Sequence, residues 1–316
     1  MIEIRDIPPD GRVTEPGFYR MTAAQYHADP CPTPSLSSST IKTMLERTPR
    51  HAWCDHPRLG NMREQKDNDA FTLGTAAHKL ILGAGDEFCV IEANDWRTKD
   101  AQAKRDEARA AGLTPILAVQ HIKARAIAAW SRGELNQLPL VEDAFAHGLP
   151  ELACFWQESD IWCRSLIDLA PTGEDAQGWW TIYDLKTTSG ALDANTLARN
   201  MISYGYDIQA AHYTRGLQAL LGNDARVRFR FLFVESDSPY SATVAQASGQ
   251  MAATGEQKVL AAYSIWSRGL RESEWPGYPR DVMRVEPPNF LETQWREREA
   301  GDPLIQSALN NWRTAA

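Results

Sequence analysis

Between residues 151 and 188 the chain passes through three aromatic, β-branched segments, ELACFWQ, IWCRSLIDLA and WWTIYDLKTT, separated only by ESD and by PTGEDAQG. Segments of this kind read as strands, and linkers this short join antiparallel neighbours, so the middle of the chain is expected to be a three-stranded meander. The rest must be arranged around it. Residues 1–36 are rich in Pro and Gly and read as an irregular arm, with a short helix at TAAQYH after Thr22. SSSTIKTMLERTP carries Ser N-caps, apolar Ile41, Met44 and Leu45, and Pro49 as a stop, and reads as a helix. A second helix, ending at Gly83, sets Gly74, His78 and Leu82 on one face, and helices at 98–111 and 116–132 follow.

Beyond the meander come two helices, 191–202 and 206–221, a strand pair in RVRFRFLFVES and YSATVAQA, a long helix at 247–269, a Pro-rich stretch and a last polar helix at 291–311. The order implies an α/β fold with a mixed central sheet of about five strands flanked by helices, behind a helical N-terminal region. The expected division is the arm at 1–36, one domain at 37–269, and a Pro-rich segment with a C-terminal helix at 270–316.

Composition excludes several classes. No apolar run approaches the ~20 residues that span a bilayer, and MIEIRDIPPDG is neither a signal nor a transit sequence, so a cytoplasmic protein without membrane association is expected. The five cysteines are scattered and form no C-x-x-C pair, which argues against structural zinc and against an iron–sulfur cluster. With a net charge of −8, any contact with nucleic acid needs a local basic surface or metal ions.

One strand carries charges where its pattern is apolar. Alternation puts Ile182, Asp184 and Lys186 on one face and Tyr183, Leu185 and Thr187 on the other, so Asp184 and Lys186 project together, roughly 7 Å apart. Burying two ionised groups costs several kcal/mol each unless they pair or bind a metal. The preceding strand holds Asp168 in SLIDLA; a loop centred on Ala176 pairs positions summing to 352 and sets Asp168 opposite Asp184. A turn at Ser159-Asp160 pairs positions summing to 319 and sets Glu151 opposite Asp168. Ser-Asp is not a favoured hairpin turn, and a one-residue slip reverses the facing. In this register three carboxylates stand in a row, an arrangement that repels itself unless a cation lies among them, and all-oxygen ligation suits Mg²⁺ or Mn²⁺. Blander readings stand beside it: Asp168 as a turn cap near Pro171, Glu158 in place of Glu151, His78 as a core histidine, and Gln209 and Tyr213 as ordinary helix residues.

Asp168 followed by Asp184-Leu185-Lys186 resembles the PD-(D/E)XK nuclease superfamily. The order of GTAAH, Glu151, LIDLA, YDLKTT and YDIQAAHY resembles its RecB-like branch, and the segments YRMTAAQYHADP, PSLSSSTIKTMLERTPRHAW and DWRTKDAQAKRDEARAAGLTPIL resemble the RecE-like, exodeoxyribonuclease VIII-type proteins of phages. The resemblance implies a restriction-endonuclease-like core and DNA phosphodiester hydrolysis with Mg²⁺ or Mn²⁺, 5′-to-3′ on linear duplex ends. It makes Glu151, Asp168 and Asp184 metal ligands with His78 near the metal, Lys186 the catalytic lysine, and Gln209 with Tyr213 a Gln-x-x-x-Tyr motif. It further implies a homo-oligomeric ring around double-stranded DNA and a single-strand annealing protein as partner in recombination. Relatives that hold an iron–sulfur cluster use three cysteines near the C-terminus; this chain has none after Cys163, so no cluster is expected. The alternatives are a single-strand or structure-specific nuclease, and a non-catalytic DNA-end-binding protein of the same fold.

Overall fold

The structure, a computed structural model, describes residues 2–62, 69–85, 87–138 and 141–315. The chain begins with strands β1 (Ile4–Asp6) and β2 (Gly17–Arg20), followed by helices α1 (Ala23–His27), α2 (Ser38–Glu46), α3 (Pro49–Asp55) and α4 (Asp69–Leu82). Next come β3 (Phe88–Ile91), α5 (Lys99–Ala110), β4 (Thr114–Leu117), α6 (Ala118–Asn136) and α7 (Glu142–His147). The meander is β5 (Leu149–Glu158), β6 (Ile161–Ala170) and β7 (Trp180–Thr188). After it lie α8 (Ala194–Ser203), α9 (Tyr206–Leu221), β8 (Val227–Glu235), β9 (Ala242–Ala245) and α10 (Gly249–Glu272).

Among the described residues the main sheet has seven strands in the order β1-β2-β5-β6-β7-β8-β9, and β3 and β4 form a separate parallel pair. The expected mixed α/β architecture is present. The sheet is wider than the expected five strands because the N-terminal stretch, expected to be irregular, adds β1 and β2 at one edge. Gly17–Arg20 is only four residues long and has no alternation a sequence reading can weigh; it becomes a strand because Phe18 and Tyr19 are buried against β5. Pro49, expected to end a helix, also opens one. It sits in the first turn of α3, where its missing N–H costs nothing, behind Thr48, whose side chain caps the His51 amide.

The meander register is the one that the turn arithmetic gives. β5 and β6 pair from Leu149↔Ala170 to Glu158↔Ile161, and Leu169 of β6 pairs with Tyr183 of β7. β7 then runs parallel to β8 along its whole length, the crossover being α8 and α9, as parallel neighbours require. Two apolar layers clamp this part of the sheet. Ile182, Phe229 and Phe231 pack under Leu197, Tyr213 and Leu217 of α8 and α9, while Tyr183, Leu185 and Leu232 pack against Ala77, Ile81 and Ile127 of α4 and α6. Further cores join α2 and α10 to β5 and β6 through Ile41, Trp156 and Trp266, and the N-terminal stretch to β5 through Val13, Tyr26 and Phe155.

The chain forms two compact units, Met1–Gly277 and Tyr278–Ala316. In the second, the single helix expected at 291–311 is two helices, α11 (Asn289–Gly301) and α12 (Pro303–Ala315). Asp302 caps the amide of Leu304 at 3.0 Å, and Pro303 cannot continue the preceding helix. Among the described residues no helix is long and apolar enough to cross a membrane.

Candidate metal and catalytic site

The site forms where the β6–β7 ladder is shortest. Leu169↔Tyr183 is its one paired position, and next to it a side chain takes over from the backbone: Asp168 Oδ2 accepts the Leu185 amide at 2.8 Å. On the other side of β6, the β5 ladder is regular from end to end except at Glu151 and Asp168, the pair that the 319 register sets opposite one another. Glu151 adopts φ +52, a left-handed conformation that costs a non-glycine residue of order 1–2 kcal/mol. The strained residue and the one it faces both carry carboxylates.

His78 arrives from α4. Gly74, one turn earlier, lets that helix come close to β7, since a Cβ there would lie 3.1 Å from Thr187 Oγ1. The imidazole stands between two acids, with Nε2 2.8 Å from Asp168 Oδ2 and Nδ1 3.6 Å from Glu151 Oε1. Donor atoms of His78, Glu151 and Asp168 all lie within 4.8 Å of one another. Burial disfavours the imidazolium, but the charge and hydrogen bond of Asp168, with Glu151 behind, outweigh it and lift His78 to about 9. The same pairing, working against burial, holds Asp168 below the usual carboxylate range.

Asp184 lies on the neighbouring strand and is 1% exposed. Its Oδ1 accepts Gln209 Nε2 from α9 at 2.6 Å, and its Oδ2 lies 2.5 Å from Lys186 Nζ. Beyond that lysine contact Oδ2 has no hydrogen-bond donor, which leaves one buried lone pair open. Burial, and then repulsion from Asp168, pushes Asp184 up to about 6. Lys186 is raised although burial opposes it, because Asp184 and Asp168 flank it. Tyr213, one turn beyond Gln209, is 6% exposed and lies edge-on to Phe229 at 5.7 Å; burial pushes its phenol well above the ordinary range. Gln209 thus faces the acids, while Tyr213 anchors the same helix in the core.

The donor set fits a divalent cation. Carboxylates crowd together, one of them keeps an open lone pair, and in this arrangement His78 and Lys186 supply the positive charge that the cluster needs. His78, Glu151 and Asp168 form the tight group, and Asp184 lies outside it, near enough to feel the charges of Asp168 and His78.

A residue that sequence reasoning did not single out completes the surroundings. The Tyr206 ring lies 4.8 Å from Lys186 Nζ and stacks on Phe231. The available signal was the pair of tyrosines around Gly205 in SYGYD, directly before the Gln209 helix.

Residues 37–282 match a family described as a PDDEXK-like domain of unknown function (DUF3799). Among solved structures, the crystal structure of a "putative exonuclease" from Eubacterium rectale is similar, with a TM-score of 0.54 and 12% identity over 87% of this chain and 98% of that one. At that identity the likeness concerns the fold. The crystal structure of SSO0001 aligns at 10% identity over 75% of this chain and 96% of that one, with a TM-score of 0.26, too slight to build on. No curated protein matches the chain.

Proposed function

The chain belongs to the PDDEXK-like family of unknown function, and on that premise we propose that it is a metal-dependent deoxyribonuclease. The observation that carries the reading is the convergence of Asp168, Asp184 and Lys186 from adjacent strands, with Glu151 and His78 closing one side and Gln209 the other. A structural ion pair needs one acid and one base. Here three acids, a lysine and a histidine meet at the shortest ladder of the sheet, which favours chemistry over packing.

Glu151, Asp168 and Asp184 would hold Mg²⁺ or Mn²⁺ beside His78, and the ion would supply Lewis-acid polarisation of a phosphodiester and a more acidic water. The protein groups have separable tasks. The Leu185 amide fixes Asp168, and the Gln209 amide fixes Asp184, so the two carboxylates present their remaining lone pairs without reorganising. Lys186 Nζ, protonated between Asp184 and Asp168, would orient an attacking water and offset charge growing on the phosphoryl oxygens. Apolar residues of the two clamping layers exclude bulk water behind it.

The finer reading is a RecE-like exonuclease acting 5′-to-3′ on linear double-stranded ends. We place it in the cytoplasm, in a homo-oligomeric ring, working with a single-strand annealing protein in phage-type recombination. The segments YRMTAAQYHADP, PSLSSSTIKTMLERTPRHAW and DWRTKDAQAKRDEARAAGLTPIL support it, beside the RecB-like order of motifs from GTAAH to YDIQAAHY. Linear duplex labelled at the 5′ or the 3′ end, with a closed circular control, tests it. We expect Mg²⁺-dependent release of the 5′ label first and an intact circle. Cutting of the circle would replace this with an endonuclease, and no hydrolysis with Mg²⁺ or Mn²⁺ would leave a DNA-end-binding protein.

A further inference from the structure

A pocket of about 350 Å³ opens beside the proposed catalytic residues, lined by Thr187, Thr188, Asn200, Tyr204, Tyr206 and Phe233 together with the Gly74 turn of α4. It is continuous with the site through two elements: β7 supplies Thr187 and Thr188 directly after Lys186, and α4 supplies Gly74 one turn before His78. Its volume falls in the range of small-ligand sites, about 300–1,000 Å³.

The chemistry of one wall is distinctive. Gly205, at φ +68, turns the chain between Tyr204 and Tyr206 so that the two rings stack, 5.6 Å apart and 30° from parallel. Lys42 Nζ lies 5.7 Å from the Tyr204 ring and donates to the Ser203 carbonyl at 3.1 Å, while Lys186 Nζ lies 4.8 Å from the Tyr206 ring. The two rings therefore lie between two cations, the half-buried Lys42, which also pairs with Glu46 at 3.7 Å, and the lysine of the site. Tyr206 is held by Phe231 beneath it, but Tyr204 is 57% exposed, so its ring is not needed to close the core. Aromatic faces between positive charges are what a polynucleotide strand requires, since its bases stack and its phosphates seek cations. The hydroxyls of Thr187 and Thr188 and the amide of Asn200 can meet a base edge or a sugar without selecting one base.

We propose that this pocket is a nucleobase subsite, in which a base of the DNA strand being cut stacks on the face of Tyr204 that Lys42 covers in the free protein, the lysine turning to the neighbouring phosphate. This rests on the nuclease reading and adds to it how the strand is held. Stacking of one base is sequence-tolerant, so the subsite would grip any DNA strand.

The test combines binding and cleavage by the full-length protein. Wild type, Tyr204→Ala and Tyr204→Trp are titrated in EDTA with a fluorescein-labelled single-stranded oligonucleotide and with an abasic oligonucleotide of the same length, and linear duplex cleavage is followed with Mg²⁺. Expected for Tyr204→Ala is about tenfold weaker binding of the normal oligonucleotide and a similar rise in KM, with kcat falling less than twofold; Tyr204→Trp restores both. The abasic strand should bind wild type and Tyr204→Ala alike. Unchanged KM and affinity in Tyr204→Ala, or equal weakening on the abasic strand, overturns the subsite while leaving the nuclease reading in place. Tyr204-dependent binding without cleavage by wild type supports the subsite and removes the nuclease reading. A wild type that neither binds nor cuts overturns both.

Discussion

Gln209 Nε2 donates to Asp184 Oδ1 at 2.6 Å, from a helix that reaches the acid across the face of the sheet. The carboxylate is buried and sits near Asp168, so the amide is one of the few groups that favour its ionised form. A hydrogen bond to a charged group is worth about 1.5–3 kcal/mol, which corresponds to roughly tenfold to a hundredfold in rate if it acts in the transition state. Gln209→Leu, close in size but without a donor, should lower kcat by about that factor while the circular dichroism spectrum is kept. Its activity should also move to higher pH, because Asp184 without the amide ionises later. An unchanged pH profile with unchanged kcat would show that Gln209 is only packing.

The arrangement of Asp184 implies a conflict between stability and function. Burial and Asp168 raise it to about 6, so above that pH the folded protein carries a charge that it disfavours, even with Lys186 alongside. Asp184→Asn removes the charge and keeps the shape. In EDTA at pH 8 this variant should melt about 1 to 3 °C above wild type. It should lose nuclease activity and also lose the rise in melting temperature expected of wild type with Mn²⁺. Lys186→Ala should likewise be inactive, but it leaves Asp184 and Asp168 without their lysine and should melt lower than wild type in EDTA. A stable, metal-responsive and active Asp184→Asn protein would remove Asp184 from the site.

Glu151 separates backbone strain from ligand chemistry. At φ +52 alanine retains the cost of the left-handed conformation, whereas glycine does not. Glu151→Gly should therefore be more stable than Glu151→Ala by about 1 kcal/mol, the reverse of the order usual in a strand. Both lose the carboxylate near His78 and should show a weaker Mn²⁺ response. Thermal melts of the two variants with and without Mn²⁺ check both halves, and an alanine variant as stable as the glycine one would mean that the strand relaxes once the side chain is gone.

These residues also mark how far the sequence is legible. Asp168 opposite Asp184 follows from one loop midpoint, because a hairpin register is a sum of residue numbers once its turn is located, and Leu169↔Tyr183 has that sum. The conformation of Glu151 did not follow, since a positive φ at a non-glycine residue inside a strand is not signalled by residue type. β2 was hidden for a similar reason: four residues acquire strand character only when β5 lies beside them. Pro49 closed one helix in the reading and opens another in the fold, because the capping hydroxyl of Thr48 directly precedes it. The Tyr204 and Tyr206 stack depends on how Gly205 turns and on a lysine 162 positions upstream of Tyr204, a relation that no short motif records.

Two histidines away from the site should set the acid limit of the fold. His56 is buried with Nε2 3.0 Å from the Ser35 carbonyl, and it accepts the Arg58 amide at Nδ1, which fixes the neutral ring. Burial lowers it to about 4, against the pull of Asp29, and burial lowers His212 to about 3. Both are neutral in the fold and protonate near 6.5 once unfolded, so below that pH the unfolded chain binds more protons. Their contribution is complete above pH 6.5 and declines as the pH falls toward 4 and 3, at about 1.4 kcal/mol per pH unit for each. Asp184, raised to about 6, works the other way below pH 6 and offsets part of the loss. His78 adds nothing in this window, since both of its states are protonated below 6.5. His56→Gln can keep a donor toward Ser35 but cannot titrate. Between pH 7 and pH 5 its unfolding free energy in urea should therefore fall by about 2 kcal/mol less than that of wild type. Equal losses in the two proteins would show that His56 is not buried neutral, and its contact with Asp29, Nε2 to Oδ2 at 3.4 Å, would then have to be read as a charged pair.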